Sequence, residues 1–251
     1  MESIELPKEN KINRMVDRES AIRILEGRDI KKPSEAVDNY ISQIPDLIVW
    51  FKSEGRDYQW RDERDPWKII LVEILLQRTR ADAVSEIYNE FTETYSTPES
   101  LYQTDIEEIK GEIESLGFVN RRSKCLKSIS ELIVNEHQGK VPKDIEEMKN
   151  AWRVGEYVSR AVQIFARGKP MALVDSNIAR VIGRFFDLKM PSQPHKDEEI
   201  YELVDSITPK DPEIARLYYF ALIDLGALVC TPKKPDHEEC PFKHNCRYYN
   251  R

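Results

Sequence analysis

Residues 150–184 read NAWRVGEYVSRAVQIFARGKPMALVDSNIARVIGR, and the fold turns on how this stretch is parsed. The pattern predicts a short helix, a tight hairpin at Val154–Gly155, and a helix from 156 to about 167. A break at Gly168-Lys169-Pro170 follows, and Val174-Asp175-Ser176-Asn177 opens the next helix. Asp175 falls at that helix start, where free backbone N–H groups and the positive dipole end favour an anion. Phosphate can bind at one helix start and a working carboxylate can sit at the next.

Upstream, WKIILVEILLQRT at 67–79 is apolar nearly all round, as expected of a buried central helix. Glu73 and Gln77 interrupt it one turn apart. A buried carboxylate is costly unless paired or functional, so Glu73 is either salt-bridged to an arginine inside a bundle or part of a site. Further helices are predicted at 81–95, 98–102, 105–115 and 121–136, with 116–120 as a turn carrying exposed apolar residues. Arg121, Arg122, Lys124 and Lys127 follow that turn without an intervening acid. They form either a solvated helix face or a phosphate-holding cluster beside a wedge made by Phe118 or Val119.

Ser34 is expected to cap a helix running to Phe51, kinked or broken at Pro45. Residues 55–66 read as a polar loop containing Trp60 and Arg61, and residues 1–33 as a charged extension with a possible helix at 19–26. Downstream, helices are predicted at 196–206 and 211–225.

Nine glycines, 33% charged residues and apolar spacing of helical period predict an all-α chain of 251 residues. No run is long and apolar enough for a spanning segment, so a soluble, cytoplasmic protein without membrane partners is expected. The net charge of −7 requires any nucleic-acid footprint to be local. Three of the four cysteines fall in the last 22 residues, which suggests a metal knot more than disulfides; Cys125 is expected in the core.

Three segments together carry a resemblance: VEILLQRT at 72–79, VGEYVSRAV through ALVDSNIARVIGRFF at 154–186, and ALIDLGALVC with the Cys/His tail at 221–246. In this order they resemble the helix-hairpin-helix DNA glycosylases of the endonuclease III superfamily, over about 34–251. The mismatch-specific thymine-DNA glycosylases are the branch most similar, with the adenine-specific ones next. The resemblance implies two helical lobes with a DNA cleft between them: a six-helix barrel at 67–169, and a lobe formed by 34–66 with 170–251.

By the same resemblance Asp175 is the catalytic aspartate, with Asn177 orienting the carboxylate or a water. Glu73 is a pocket carboxylate that binds or protonates the flipped base. Gln77 and Arg78 enter the space it vacates, and Arg153, Val154 and Gly155 hold phosphate. Tyr157 stands where bifunctional members carry a Schiff-base lysine, which implies a monofunctional enzyme leaving an intact abasic site.

Two departures stand out. The family hairpin reads Leu-Pro-Gly-Val-Gly, whereas this chain has Arg153 in place of the first glycine. The family's 4Fe-4S site has four cysteines, whereas here the spacing is Cys230-x6-His237-x2-Cys240-x5-Cys246. That set suits an iron–sulfur cluster with one imidazole ligand, or structural zinc. The function implied is excision of thymine or uracil from G·T and G·U mismatches in base excision repair. The partner is duplex DNA with a mismatched or damaged base, bound by a monomer in the nucleoid. The alternatives are an adenine-specific mismatch glycosylase and an inactive mismatch-binding protein.

Overall fold

The computed structural model describes residue 12 and residues 15–251; the expected extension at 1–33 therefore lies partly outside the described residues. Among the described residues every regular element is helical. The chain divides into two compact units, one made of the residues up to Arg56 with Gly168–Arg251, the other of Asp57–Arg167.

The first unit contains α1 (Arg18–Gly27), α2 (Pro33–Ser42), α3 (Ile44–Glu54) and, after the second unit, α11 (Ser176–Phe186), α12 (Glu198–Ser206) and α13 (Pro212–Leu228). Its core helix is α13, started by Pro212 at N1 and by Asp211, whose side chain accepts the N–H groups of Glu213 and Ile214. Such a cap stabilises by about 1 kcal/mol. Helix α13 packs on α3 and α11, and α12 packs on α1. Fully buried Asp224 of α13 accepts 2.9 Å and 2.6 Å bonds from the backbone and guanidinium of Arg56, joining α13 to the segment after α3.

Pro45 does break the predicted 34–51 helix, into α2 and α3 meeting at Gln43. Ser34 is not its cap. Pro33 takes the first helical position and Lys32 becomes the N-cap in the left-handed conformation, while the Ser34 hydroxyl accepts Arg18 instead.

The second unit contains α4 (Pro66–Leu76), α5 (Ala81–Thr94), α6 (Pro98–Gln103), α7 (Ile106–Glu112), α8 (Val119–His137), α9 (Ile145–Lys149) and α10 (Glu156–Ala161). The apolar α4 is buried over eight of its residues and touches α5, α8 and α10. Its Trp67 donates Nε1–H to the carbonyl of Tyr95, 2.8 Å. Trp60 and Arg61, placed by sequence in a polar loop, are buried: Trp60 stacks on Tyr58 at 4.6 Å. The helix expected at the start of 150–184 ends at Lys149, and 150–153 form the turn. The helix after the hairpin changes from α to π geometry at Val162–Ala166, where Gln163 turns to donate to the Lys143 carbonyl.

Candidate active site and nucleic-acid interface

In the first unit, Asp175 is the N-cap of α11, with ordinary extended backbone (φ −119°, ψ −174°). Its Oδ1 accepts the Ile178 N–H at 2.7 Å and its Oδ2 accepts Nδ2 of Asn177 at 3.1 Å. Burial raises its pKa above the usual aspartate value. The N–H groups of Ile178 and Asn177, the Asn177 amide and the Arg180 charge act in the opposite direction and do not cancel that rise.

Asn177 is itself held. Arg180 donates to its Oδ1 at 2.8 Å, to the carbonyl of Gly226 at 2.6 Å and to the carbonyl of Cys230 at 2.7 Å. Gly226 lets α13 pass close to this point: a Cβ there would meet Asn177 Cβ at 2.6 Å and its Cα at 3.0 Å. An unbroken set of hydrogen bonds therefore runs from Asp175 through Asn177 and Arg180 to the start of the Cys/His tail.

The tail folds back on the same helix. One turn beyond Arg180, Arg184 donates to Cys230 Sγ at 3.3 Å and to the carbonyl of Thr231 at 2.8 Å, while the Cys246 thiol faces the Arg184 carbonyl at 3.6 Å. Phe242, between Cys240 and Cys246, is buried 5.2 Å from Phe185 and 5.4 Å from Tyr40. Burying a phenyl ring of this kind stabilises by about 1.5–3 kcal/mol, enough to pin the loop.

Burial, with the Cys230 and Cys246 sulfurs nearby, pushes the Cys240 thiol up to about 12; burial likewise raises Cys246. His237 lies 4.6 Å from the Tyr249 ring. Among the described residues no three such side chains are grouped as ligands of one metal ion. Cys230, Cys240 and Cys246 are nonetheless soft sulfur donors of the type that iron–sulfur groups take as ligands.

In the second unit, Glu73 is 9% exposed on α4, and Tyr157 is half-buried on α10, which packs against α4. Gln77, the C-cap of α4, and Arg78 are exposed. Arg78 has φ +59° and its guanidinium lies 6.0 Å from the ring of Phe118, which is 53% exposed with φ +51°. Val119 is the first residue of α8 and half-buried, so Phe118 alone presents an exposed apolar tip.

At the hairpin, Val154 is buried and Gly155 opens α10 with nothing within 4 Å of a Cβ placed there. Arg153 has φ +63°, the conformation in which glycine is at ease, and its guanidinium lies 5.4 Å from the Trp152 ring. Lys124 approaches the same ring at 4.7 Å.

The expected basic cluster of α8 is not a uniform solvated or phosphate-binding face. Arg122 is buried with its guanidinium turned inward, and Lys127 donates to the carbonyls of Tyr102 and Thr104 at 2.5 and 2.9 Å. Both cations satisfy chain carbonyls left free by neighbouring turns and helix ends. Cys125 is buried, its thiol pushed up to about 12 by burial.

Sequence reasoning named Arg122 only as one of a cluster of cations and missed Arg180, Arg184 and Gly226. For Arg180 and Arg184 the letters gave no signal, since both share the polar face of the helix with Ser176 and Asn177 and look solvated.

These arrangements belong to a recognisable class. A family profile described as the HhH-GPD superfamily base excision DNA repair protein matches residues 71–207, more than half the chain, and the chain belongs to that family. Residues 230–246, including all four candidate ligands, match the iron–sulfur binding domain of endonuclease III.

Among particular relatives, a thymine/uracil-DNA glycosylase of Pyrobaculum aerophilum is 36% identical over 82% of this chain and 90% of its own. An adenine DNA glycosylase of Mycobacterium tuberculosis is 31% identical over 85% of this chain and 69% of its own. The solved structure of a thermostable thymine-DNA glycosylase superposes with a TM-score of 0.77 at 31% identity, covering 88% of this chain and 99% of that one. No helix among the described residues is long and apolar enough to cross a membrane.

Proposed function

We propose that the chain is a monofunctional DNA glycosylase that removes thymine or uracil opposite guanine and leaves an intact abasic site. The observation that carries this reading is the Asp175 carboxylate, oriented by Asn177 and the Ile178 N–H, in a chain 36% identical to a thymine/uracil-DNA glycosylase. Breaking an N-glycosidic bond builds positive charge on the sugar and negative charge on the departing base. A fixed carboxylate stabilises the first, and Asp175 takes that role.

Glu73 binds or protonates the base, and its burial on α4 suits a carboxyl that must bind an apolar-faced ring. Tyr157 has no amine with which to attack the sugar, so no Schiff base forms and the strand stays uncut. Arg78 and Phe118 occupy the duplex where the base has left. Arg153, Gly155 and Lys124 hold phosphate, acting as a monomer.

Cys230, Cys240, Cys246 and His237 would hold the iron–sulfur group, which would tie the tail together and leave the hydrolysis to the residues above. Iron and acid-labile sulfide in the purified protein, lost together from a Cys240→Ser variant, would support this assignment; stoichiometric zinc without sulfide would replace it.

The decisive experiment incubates the protein with duplexes carrying G·T, G·U, A·8-oxoguanine and oxidised pyrimidines, with and without alkali. Cleavage at G·T and G·U only after alkali is expected. Cleavage without alkali contradicts the role given to Tyr157, release of adenine alone moves the protein to the adenine branch, and binding without any release makes it a recognition protein.

A further inference from the structure

The two wedge loops, 77–79 and 116–118, belong to different parts of the sequence, yet a single buried side chain joins them. The Arg122 guanidinium donates to the Gln77 carbonyl at 2.9 Å and to Thr79 Oγ1 at 2.6 Å on one loop, and to the Gly117 carbonyl on the other. Its Nε reaches the Ile74 carbonyl near the end of α4, 3.3 Å away. Thr79 closes the ring by donating to the carbonyl of Leu116 at 3.2 Å.

We propose that Arg122 is a positioning residue for base extrusion, the keystone that makes Arg78 and Phe118 one pre-formed wedge. This deepens the glycosylase reading and rests on it only for what happens after the base leaves the stack.

Three observations carry the inference. First, Arg122 is 4% exposed. A buried guanidinium is tolerated only where its donors are used, and here the acceptors belong to the two loops and the end of the helix that starts the first. Second, the residues at the tips hold conformations they would not adopt alone: Arg78, Gly117 and Phe118 all have positive φ, between +51° and +70°. For Arg78 and Phe118 this is strained, and strain persists only where surrounding bonds over-determine it. The bonds from Arg122 end on the backbone immediately beside those residues. Third, the tips lie side by side, with the Arg78 guanidinium 6.0 Å from the centroid of the Phe118 ring, so the object presented outward is a pair.

Entering a base stack costs a few kcal/mol, and a wedge ordered before contact avoids adding the cost of ordering two loops at that moment. A lysine at 122 keeps the charge but cannot fork to both loops with fixed planar geometry. Arg122→Lys should therefore loosen the wedge without removing a cation.

The test uses the full chain and a duplex carrying 2-aminopurine beside a G·T mismatch, whose fluorescence rises when its neighbour leaves the stack. Arg122→Lys and Thr79→Val are compared with the wild type, with circular dichroism as the control for folding. The expected result is DNA affinity within about twofold of the wild type and an unstacking amplitude or rate lower by roughly tenfold, the scale of one or two lost hydrogen bonds. Thr79→Val, which leaves the buried cation in place, should show the smaller loss in the same direction. Unstacking equal to the wild type in both folded variants overturns the proposal, as does a loss of affinity that accounts for the whole loss of signal. If the wild type unstacks the duplex but releases no base, the glycosylase reading fails and the keystone stands. If Arg122→Lys releases base at the wild-type rate from a single strand but slowly from duplex, both stand.

Discussion

The surroundings of Asp175 and the loops of the second unit proposed to meet DNA solve opposite problems. Asp175 has unstrained extended backbone, and each oxygen accepts from a group that is itself held in place. In the second unit, four non-glycine residues have left-handed backbone, Arg78, Phe118, Gln138 and Arg153, and three of these are at expected DNA-contact positions. The tension at Asp175 is electrostatic: burial disfavours the charge that the proposed reaction requires. At the loops it is conformational. Strain of either kind survives only where neighbours enforce it.

The largest expected effect tests the electrostatic half. Asp175→Asn keeps an equally good helix N-cap but removes the negative charge. Base release should fall on the order of a thousandfold, as for loss of one pre-organised electrostatic group. Stability should change with pH. The folded pKa of Asp175 is raised, so protonation favours the fold: the stabilising contribution is complete below the unfolded value of about 3.9 and is lost as pH rises through the folded value. At neutral pH the wild type therefore carries a penalty that the variant lacks. The amide also sets an NH2 against Nδ2 of Asn177, so the check is the pH dependence: in thermal melts Asp175→Asn should lose stability relative to the wild type as pH falls from 7 toward 3. A difference that does not change with pH would show that the carboxylate is not held against its own solvation. For the same reason, the acid limb of the wild-type rate profile should fall above the ordinary aspartate range.

The next effect tests whether that region is as tightly built as its bonds suggest. Gly226→Ala places a methyl 2.6 Å from Asn177 Cβ and 3.0 Å from its Cα, so backbone must shift. Overpacking of this kind costs about 1–3 kcal/mol. Displacing Asn177 should also slow base release by roughly ten- to a hundredfold with little change in DNA affinity. Loss of affinity in proportion to rate would mean that the start of α11 tolerates movement.

Much of the Asp175 half was legible in the sequence. Val174-Asp175-Ser176-Asn177 ahead of an amphipathic run announces a capped helix, and Asp175 does cap α11. The near-continuous apolar run at 67–76 likewise identified the buried α4. What stayed hidden was side-chain direction and backbone sign. Arg122 sits in a run of cations and looks solvated, because only the third dimension reveals the four acceptors behind it. Nothing in the letters at Arg78 or Phe118 signals positive φ, since neither is glycine or asparagine; at Arg153 the only hint is the glycine that the family hairpin carries there. Ser34 misled for a local reason: Pro33 already fixes the helix start one residue earlier.

The smallest effect tests the conformational half. Where the family hairpin carries glycine, Arg153 holds the left-handed conformation at φ +63°. Relieving that conformation with Arg153→Gly should gain about 1–2 kcal/mol. Against this stand the greater freedom of glycine in the unfolded chain, about 0.5–1 kcal/mol, and loss of the contact with Trp152, about 0.5–1 kcal/mol. The three nearly cancel, so Tm should barely move. DNA binding should not be silent if the hairpin meets phosphate as proposed, because a cation in place of a glycine there contributes through charge instead of close backbone approach. Removing it should lower the slope of log affinity against log salt by about one, and weaken matched and mismatched duplexes alike. A large rise in Tm would mean the strain is not offset, and an unchanged salt slope would mean that Arg153 never meets phosphate. In either case the hairpin would cease to be the strained but useful counterpart of Asp175.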